Sequence, residues 1–228
     1  MKPIAIFYHC LFLTGEPPAF SESAFNIIHL QMESLKSSGL LDAASHFVVG
    51  INGGDESSEF ANLVIPAKAK RVMHGLDSKS ENLTIIEIEK WVPDHPNWNV
   101  LYFHAKGATH DPQSDYGKFC TRWRNCMMKN CVRLWPTAIR DLEIHDAVGC
   151  HWMTGMGSTK DQHFFAGTFF WATSNFLAKV PSMYKRDRIK QSGIASAESR
   201  YEAEVWIGNG PMPKVKDLEP SHGLAQCP

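Results

Sequence analysis

The sequence lacks any hydrophobic run long enough to cross a membrane. Its longest apolar stretch, Phe164 to Ala172, is far below the ~20 residues that a membrane helix needs, so no transmembrane segment is expected. The start of the sequence predicts a strand rather than a signal peptide, because the apolar run after Ile4 is short and no small-residue cleavage site follows it. These absences predict a soluble protein of the cytoplasm.

An excess of charge of one sign is also missing. The 23 Lys and Arg residues nearly balance the 24 Asp and Glu residues, and a formal net charge of −1 gives no basic field for nucleic acid. None of the six cysteines belongs to a Cys-x-x-Cys pair, the spacing of many zinc and redox sites, so buried reduced thiols are expected. With 43 % apolar residues and no internal repeat or clear linker, residues 1–228 are expected to form a single domain.

What is present in the first half is an alternation of strand and helix patterns. Strands are predicted at 4–8, 47–51, 63–65, 71–74 and 100–103. Helices are predicted up to residue 37, starting at Ser21 or Ser23, and up to residue 91, starting at Asn82 or Thr84. This alternation is typical of a three-layer α/β protein with a mixed, mainly parallel sheet.

The second half of the sequence predicts a less regular order. The predicted elements are a polar loop at 111–117, helices at 118–135 and from Pro136, strands at 147–153 and 164–171, a glycine-rich mobile loop at 154–162, a short helix after Ser174, an exposed basic segment at 184–193, a helix at 198–207 and an irregular tail.

The predicted central strand, Val100 to Phe103, ends in a group of polar residues. His104, Lys106 and Gly107 follow it directly, at the position where open α/β sheets bind ligands. Lys106 would place a positive charge at the mouth of a cleft, which suits a phosphate-bearing ligand. Gly107 would let the backbone turn away or approach that ligand closely.

A metal site is an alternative use of the same region. His104, His110 and Asp111 are residue types that hold metals, but a His-x5-His spacing fits neither a strand face nor a helix face. The spacing therefore favours an ordinary histidine at a strand end.

The last predicted helix offers two carboxylates. Positions two apart lie about 200° apart around a helix, so Glu202 and Glu204 cannot both face one cleft. Glu204 borders the predicted buried face of Tyr201 and Val205, and Glu202 is expected to point away. If one of them acts in catalysis, Glu204 is the better candidate; the simpler alternative is an exposed Arg200–Glu204 pair worth about 0.3–0.5 kcal/mol.

Several motifs in order resemble a known family. They are Leu101-Tyr-Phe-His104-Ala-Lys106-Gly107, a helix with Trp123, Met127 and Trp135, Asp146-Ala-Val-Gly149, His163-Phe-Phe-Ala-Gly167-Thr-Phe-Phe-Trp171-Ala172, and Arg200-Tyr-Glu-Ala-Glu204-Val-Trp206-Ile207-Gly208. The set is similar to the glycosyltransferase-like proteins of polysaccharide clusters, akin to the rhamnan-synthesis group, over roughly residues 4 to 218. The resemblance implies a GT-A-like fold, with a nucleotide-binding half at 1–110, an acceptor and sugar half at 111–218 and an irregular tail at 219–228.

The resemblance also implies roles for particular residues, with one departure. GT-A enzymes usually end the central strand in Asp-x-Asp, which holds a divalent ion on the diphosphate, whereas this chain has His104-Ala105-Lys106. A metal-independent site, or one that has lost catalysis, is therefore expected, in which Lys106 and His104 stabilise the diphosphate. Glu204 is the expected general base if the reaction inverts; in a retaining reaction its role would be electrostatic. The other expected substrate contacts are Tyr8, His9, Asn52, Gly53, Gly107, His163, Gly167, Trp171, Arg200 and Trp206.

The expected function is transfer of a sugar from a nucleotide-diphosphate donor to a hydroxyl of a glycan acceptor. Two alternatives remain open on the sequence: a non-catalytic module that binds nucleotide sugar or glycan, and a metal-dependent hydrolase built on His104, His110 and Asp111. No cofactor is expected, although a divalent cation is not excluded.

Overall fold

The fold is built on one large β-sheet. The computed structural model describes residues 1–11, 18–53, 61–74, 81–156, 159–183 and 198–219 of the chain. Among these residues the strands are β1 (Ile4–Leu11), β2 (Ala44–Asn52), β3 (Lys70–Met73), β4 (Asn99–His104), β5 (Ala147–Gly149), β6 (Trp152–Met156), β7 (Thr159–Phe165), β8 (Phe170–Thr173) and β9 (Val215–Asp217). Seven of them form a sheet in the order β3-β2-β1-β4-β8-β5-β9, and β6 pairs with β7 in a separate two-stranded sheet.

The sheet is mixed and mainly parallel. β1 pairs parallel with both β2 and β4, and β2 pairs parallel with β3. β8 runs antiparallel between β4 and β5, and β5 pairs parallel with β9. β4 is the middle strand and is buried along almost its whole length, so the prediction of a central strand there is confirmed.

Helices cover both faces of the sheet. They are α1 (Pro18–Ser37), α2 (Leu40–Ala43), α3 (Asn82–Trp91), α4 (Asp115–Met127), α5 (Trp135–Asp141), α6 (Ser174–Leu177) and α7 (Glu198–Trp206). Apolar residues of α1, α4 and α5 share one core with the side of β1 that carries Ile6 and Tyr8. Residues of α3, α6 and α7 share a second core with the side that carries Ala5 and Phe7. The predicted α/β class with three layers is therefore confirmed.

One predicted strand of the first half is wrong. Residues 61–64 are helical, and the Ile65 N–H donates to the carbonyl of Ala61 at 2.9 Å, the i to i−4 pattern of a helix. A three-residue apolar run is compatible with either element, and the tertiary packing of Ile65 decides between them.

Two predicted strands of the second half are each broken. The strand predicted at 147–153 is split between β5 and β6 at His151, whose φ is 60°. The Asp217 carboxylate holds this break by accepting the N–H groups of His151 and Trp152, each at 2.9 Å. The strand predicted at 164–171 is split between β7 and β8 by a turn in which Gly167 and Thr168 have φ values of 88° and 57°.

Other element boundaries differ from the predicted ones because helix caps and strand pairing determine where elements begin and end. In the glycine-rich segment 154–162, predicted as a loop, residues 154–156 and 159–162 belong to the paired strands β6 and β7. The helix predicted at 118–135 begins earlier, because Ser114 Oγ accepts the Gly117 N–H at 3.0 Å, and it continues after α4 as a π-helical turn, Met128–Arg133. β9 forms in the predicted irregular region because it pairs with β5. The basic segment predicted at 184–193 and the tail from residue 220 lie outside the described residues.

No helix within the described part of the chain is long and apolar enough to span a membrane. The cysteines described, Cys10, Cys120, Cys126, Cys131 and Cys150, are buried free thiols, as the sequence predicts.

Candidate functional site

The candidate site lies where the parallel strands of the sheet end. His9 at the end of β1 and His104 at the end of β4 are register partners, and Leu11 pairs with Asn52 at the end of β2. Parallel pairing therefore brings the predicted polar residues of three strands to one edge of the sheet. This edge is where ligands bind in open α/β sheets.

His104 is held between two acceptors. Its Nε2 lies 3.0 Å from the Gly167 carbonyl oxygen, and its Nδ1 lies 3.2 Å from Glu81 Oε2. The Tyr102 hydroxyl donates to the same carboxylate oxygen at 2.6 Å. Because a carbonyl and a carboxylate both accept, the imidazolium form of His104 can donate to both at once.

Glu204 binds the N–H group of Gly167, the residue whose carbonyl contacts His104. Its Oε1 accepts the Gly167 N–H at 2.6 Å, so Glu204 and His104 together hold the N–H and the C=O of one glycine. The fold requires a glycine there: φ is 88°, and a Cβ atom would lie 2.8 Å from Met127 Sδ and 3.1 Å from Trp123 Cε2. Two of the three predicted catalytic residues, His104 and Glu204, are thus brought together by the turn between β7 and β8.

Glu202 does not point away from the protein as the sequence predicts. Its Oε2 accepts a hydrogen bond from Asn82 Nδ2 at 2.7 Å, which ties α7 to the start of α3. The prediction fails because α3 packs beside α7 and buries part of the face that helical periodicity assigns to solvent.

Lys106 lies on the turn after β4, above an aromatic ring and beside a buried cation. Its Nζ is 4.1 Å from the centroid of Trp123, a cation–π distance. Its carbonyl oxygen accepts from Arg124 Nη1 at 2.7 Å. Gly107 has φ 88°, and a Cβ atom there would lie 3.0 Å from Arg124 Nη1. Gly107 therefore permits both the turn and the close approach of Arg124.

His9 is buried and uncharged. Its Nδ1 lies 2.9 Å from Thr84 Oγ1, and that hydroxyl lies 3.3 Å from His74 Nε2. Burial, followed by the nearby rings of His104 and His74, holds the pKa of His9 well below its usual value. His9 can therefore accept or donate a hydrogen bond at this edge without carrying charge.

Three predicted substrate contacts lie inside the core instead. Tyr8, Trp171 and Trp206 are each 0 % exposed. The Tyr8 hydroxyl donates to Gln31 Oε1 at 2.7 Å, and burial raises the pKa of Tyr8 well above its usual value. Trp171 Nε1 donates to the Cys131 carbonyl at 2.7 Å. None of the three exposes surface to a ligand, because strand and helix packing uses the aromatic faces.

The remaining predicted contacts are spread around the edge. Asn52 is buried at the end of β2, and Gly53 follows it with φ 151°. His163 lies on β7, with its Nδ1 2.9 Å from Thr154 Oγ1 of the paired strand β6. Its carbonyl packs so tightly on Gly208 that a Cβ at Gly208 would lie 1.8 Å from His163 O. Arg200 belongs to α7, and its side chain lies outside the part of the chain that the structure describes.

The residues of the alternative metal site do not converge. His110 packs edge-on against Tyr116 at 4.8 Å, and Asp111 Oδ1 accepts the Gln113 N–H at 2.9 Å within its own turn. Within the residues that the structure describes, no group of three His, Cys, Asp or Glu side chains is suited to a metal ion. At the end of β4 both ring nitrogens of His104 face protein oxygens and the cationic Lys106 follows, so the described residues of this edge do not offer a divalent ion a set of ligands.

Sequence reasoning missed three residues of this site: Glu81, Thr84 and Arg124. Glu81 and Thr84 lie at the first turn of α3, next to strand ends far away in the sequence. Arg124 follows Trp123 in a helix whose charged positions read as solvent-facing. A sequence signal for Arg124 is its position beside Trp123, in the helix predicted after the polar loop 111–117.

Comparison with solved structures finds distant similarity. A proposed nucleotide-diphospho-sugar transferase from Desulfovibrio desulfuricans G20 is 9 % identical with a TM-score of 0.43, over 96 % of this chain and 81 % of that one. A 4-diphosphocytidyl-2C-methyl-D-erythritol synthase from Anaerococcus prevotii is 12 % identical with a TM-score of 0.45, over 97 % and 88 %. A CMP:2-keto-3-deoxy-manno-octonic acid synthetase complexed with CTP is 8 % identical with a TM-score of 0.42, over 96 % and 90 %.

Similarity at this level assigns neither a family nor an activity. No family model matches the chain, and no curated protein matches it.

Proposed function

We propose that this protein transfers a sugar from a nucleotide-diphosphate donor to a hydroxyl of a glycan acceptor in polysaccharide synthesis in the cytoplasm. The observation that carries the proposal is that a cation and a carboxylate flank the contact of Trp123 with Gly167: Lys106 Nζ lies over the Trp123 ring, and Glu204 Oε1 accepts the Gly167 N–H. A transferase of this kind needs positive charge where the diphosphate leaves and a proton acceptor where the hydroxyl attacks.

The donor is assigned to the half of the site formed by residues 1–110, within a single GT-A-like domain. His9 and the Asn52-Gly53 turn lie at the ends of neighbouring strands, and we place the nucleotide at this edge. The side chains of His9 and Asn52 are buried, so they support the edge from within. Lys106 stabilises the diphosphate, and Gly107 lets the turn approach it. His104 precedes this turn and accepts the Lys106 N–H at its carbonyl, while its ring is held by Glu81.

The acceptor is assigned to the half formed by residues 111–218, near the Gly167 turn. In the proposed inverting reaction, the acceptor oxygen attacks the anomeric carbon of the donor sugar, and the bond to the diphosphate breaks. The electron pair of that bond leaves with the nucleoside diphosphate. The proton of the acceptor hydroxyl goes to the Glu204 carboxylate, whose position is fixed by its bond to the Gly167 N–H.

The proposed reaction is metal-independent, because Lys106 supplies charge at the position where a metal would otherwise be held. The test is release of nucleoside diphosphate from a panel of nucleotide sugars, with and without excess chelator. We expect release to continue at the same rate in chelator. Loss of release in chelator and its return with manganese would overturn metal independence but not sugar transfer.

A non-catalytic binding module is the second candidate. It is favoured by one observation: His104 and Glu204 are both bonded to the Gly167 peptide and could serve only to hold that turn. The same panel separates the two functions, since a binding module would be stabilised thermally by nucleotide sugars without releasing nucleoside diphosphate. Ligand at 100 times its dissociation constant should stabilise either protein by about 2.7 kcal/mol.

A further inference from the structure

Arg124 is a buried cation to which the described part of the chain offers no counter-charge. It is 8 % exposed, and no carboxylate among the described residues lies within salt-bridge distance of it. Its hydrogen bonds go to neutral oxygens: Nη1 donates to the Lys106 carbonyl at 2.7 Å, and Nη2 lies 3.4 Å from Thr121 Oγ1. Buried charges are usually paired, so an unpaired guanidinium requires an explanation.

The described surroundings of Arg124 add further donors and no carboxylate. Lys106, on the turn above it, also has no carboxylate within salt-bridge distance in the described part of the chain. The Lys106 ammonium lies over Trp123, whose indole Nε1 is buried without a hydrogen-bond partner among the described residues. The turn that carries Lys106 and the facing part of α4 thus bring together two cationic side chains and an N–H group that has no partner among the described residues.

The burial of the Arg124 charge favours binding of an anion beside it. Loss of water around Arg124 lowers its pKa, which shows that the folded protein bears a cost for the charge. An anion beside Lys106 would offset part of that cost, because the Lys106 carbonyl and the guanidinium are in direct contact. The positive charges of Lys106 and of Arg124, which binds the Lys106 peptide, suit a ligand with at least two negative charges, such as a diphosphate.

We propose that Arg124 is the second cation of a diphosphate-binding site on the turn 105–108. Lys106 contacts the anion, and Arg124 acts from beneath by adding positive charge and fixing the Lys106 peptide. The identity of the natural ligand as the diphosphate of a nucleotide sugar rests on the proposed function. Binding of inorganic pyrophosphate does not require that function, so the two ideas can fail separately.

The test is calorimetric titration of inorganic pyrophosphate into the full chain at low salt. Arg124→Gln removes the charge and keeps an N–H donor, Arg124→Lys keeps the charge, and Arg122→Gln removes one exposed charge from the same helix as a matched control. We expect Arg124→Gln to weaken binding on the order of tenfold, an effect of about 1.4 kcal/mol. Arg124→Lys should bind within about threefold of the wild type, and Arg122→Gln should change affinity no more than that.

Several outcomes would overturn the proposal. Wild-type protein that does not bind pyrophosphate would refute it, and so would Arg124→Gln binding as tightly as Arg122→Gln. An equal loss in Arg124→Lys and Arg124→Gln would show that charge is not what matters. Failure of both Arg124 variants to fold, even with saturating pyrophosphate, would assign Arg124 to folding alone. Pyrophosphate binding without sugar transfer would leave this site intact and overturn the proposed function instead.

Discussion

Glu204 is the residue whose surroundings allow a catalytic and a structural role at the same time. Its carboxylate accepts a short hydrogen bond from the Gly167 N–H, and His104 binds the carbonyl of the same glycine. A hydrogen bond of this kind can orient a base, or it can be the whole purpose of the side chain. The two roles make different demands on the carboxylate, since only catalysis needs a proton acceptor.

Substitution at Glu204 should separate the roles. Glu204→Gln keeps an oxygen for the Gly167 N–H but cannot take a proton, so we expect turnover to fall by roughly 10²–10⁴ with an almost unchanged melting temperature. Glu204→Ala leaves a buried N–H unsatisfied and should also cost about 1–3 kcal/mol of unfolding free energy. Turnover and thermal denaturation are measured on the same preparations.

Exposed Glu143 provides the control, since Glu202 bonds to Asn82. Glu143→Gln should change neither quantity. Near-normal turnover in Glu204→Gln would place the base elsewhere, with Asp161 or His163 next to be tested.

His9 predicts a dependence of stability on pH. Its pKa is lowered in the folded state, mainly by burial, so below about pH 6.5 the unfolded chain binds a proton that the folded protein does not. The free energy of unfolding should therefore decrease as pH falls from about 6.5 towards the folded-state pKa. The lowered pKa values of His46 and His74 act in the same direction.

The variant His9→Asn measures how much of this loss of stability on acidification is due to His9. Asparagine does not titrate and keeps an amide that can pair with Thr84, so the variant should lose less stability on acidification than the wild type. Urea denaturation on either side of the transition gives the comparison. Equal losses in both proteins would show that His9 does not contribute.

At the scale of elements, the turn between β7 and β8 controls the site. A substitution at Gly167 must adopt a φ of 88° and also displace Met127 and Trp123, the second of which lies beneath Lys106. Gly39 has a similar φ of 73°, but a Cβ atom at Gly39 would have nothing within 4 Å, so this position isolates the cost of the backbone conformation. The pair therefore separates backbone strain from packing.

We expect Gly39→Ala to destabilise the protein by about 1 kcal/mol and Gly167→Ala to destabilise it by clearly more. Gly167→Ala should also weaken the binding of ligands at Lys106, because Trp123 has to move. Chemical denaturation and nucleotide titration measure the two effects. Equal destabilisation by the two variants would mean that the packing around Gly167 yields easily.

Periodicity predicts elements well where local pattern and tertiary contact agree. The buried run ending at Phe103 appears as predicted. Prediction fails where a distant group decides the local conformation. Asp217 breaks the strand at His151, and the Gly167 turn depends on side chains from β4 and α7.

At the scale of the whole molecule, the alternation of elements predicts the α/β class but not the insertion of β8 next to β4. That antiparallel insertion brings the Gly167 turn to His104. The position of Lys106 could be predicted because it directly follows a recognisable strand. Arg124 and Glu81 could not, because their roles arise only when α4 and α3 pack against the ends of strands that are distant in sequence.

The central claim is that the carboxyl edge of the sheet binds a nucleotide diphosphate through Lys106. The most direct measurement compares the affinity of a nucleoside diphosphate with that of its nucleoside, in the wild type and in Lys106→Ala. If Lys106 neutralises the diphosphate, the substitution should weaken diphosphate binding by roughly tenfold to a hundredfold and leave nucleoside binding nearly unchanged, since hydrogen bonds to charged groups contribute about 1.5–3 kcal/mol. Equal losses for both ligands, or no loss for either, would contradict the account.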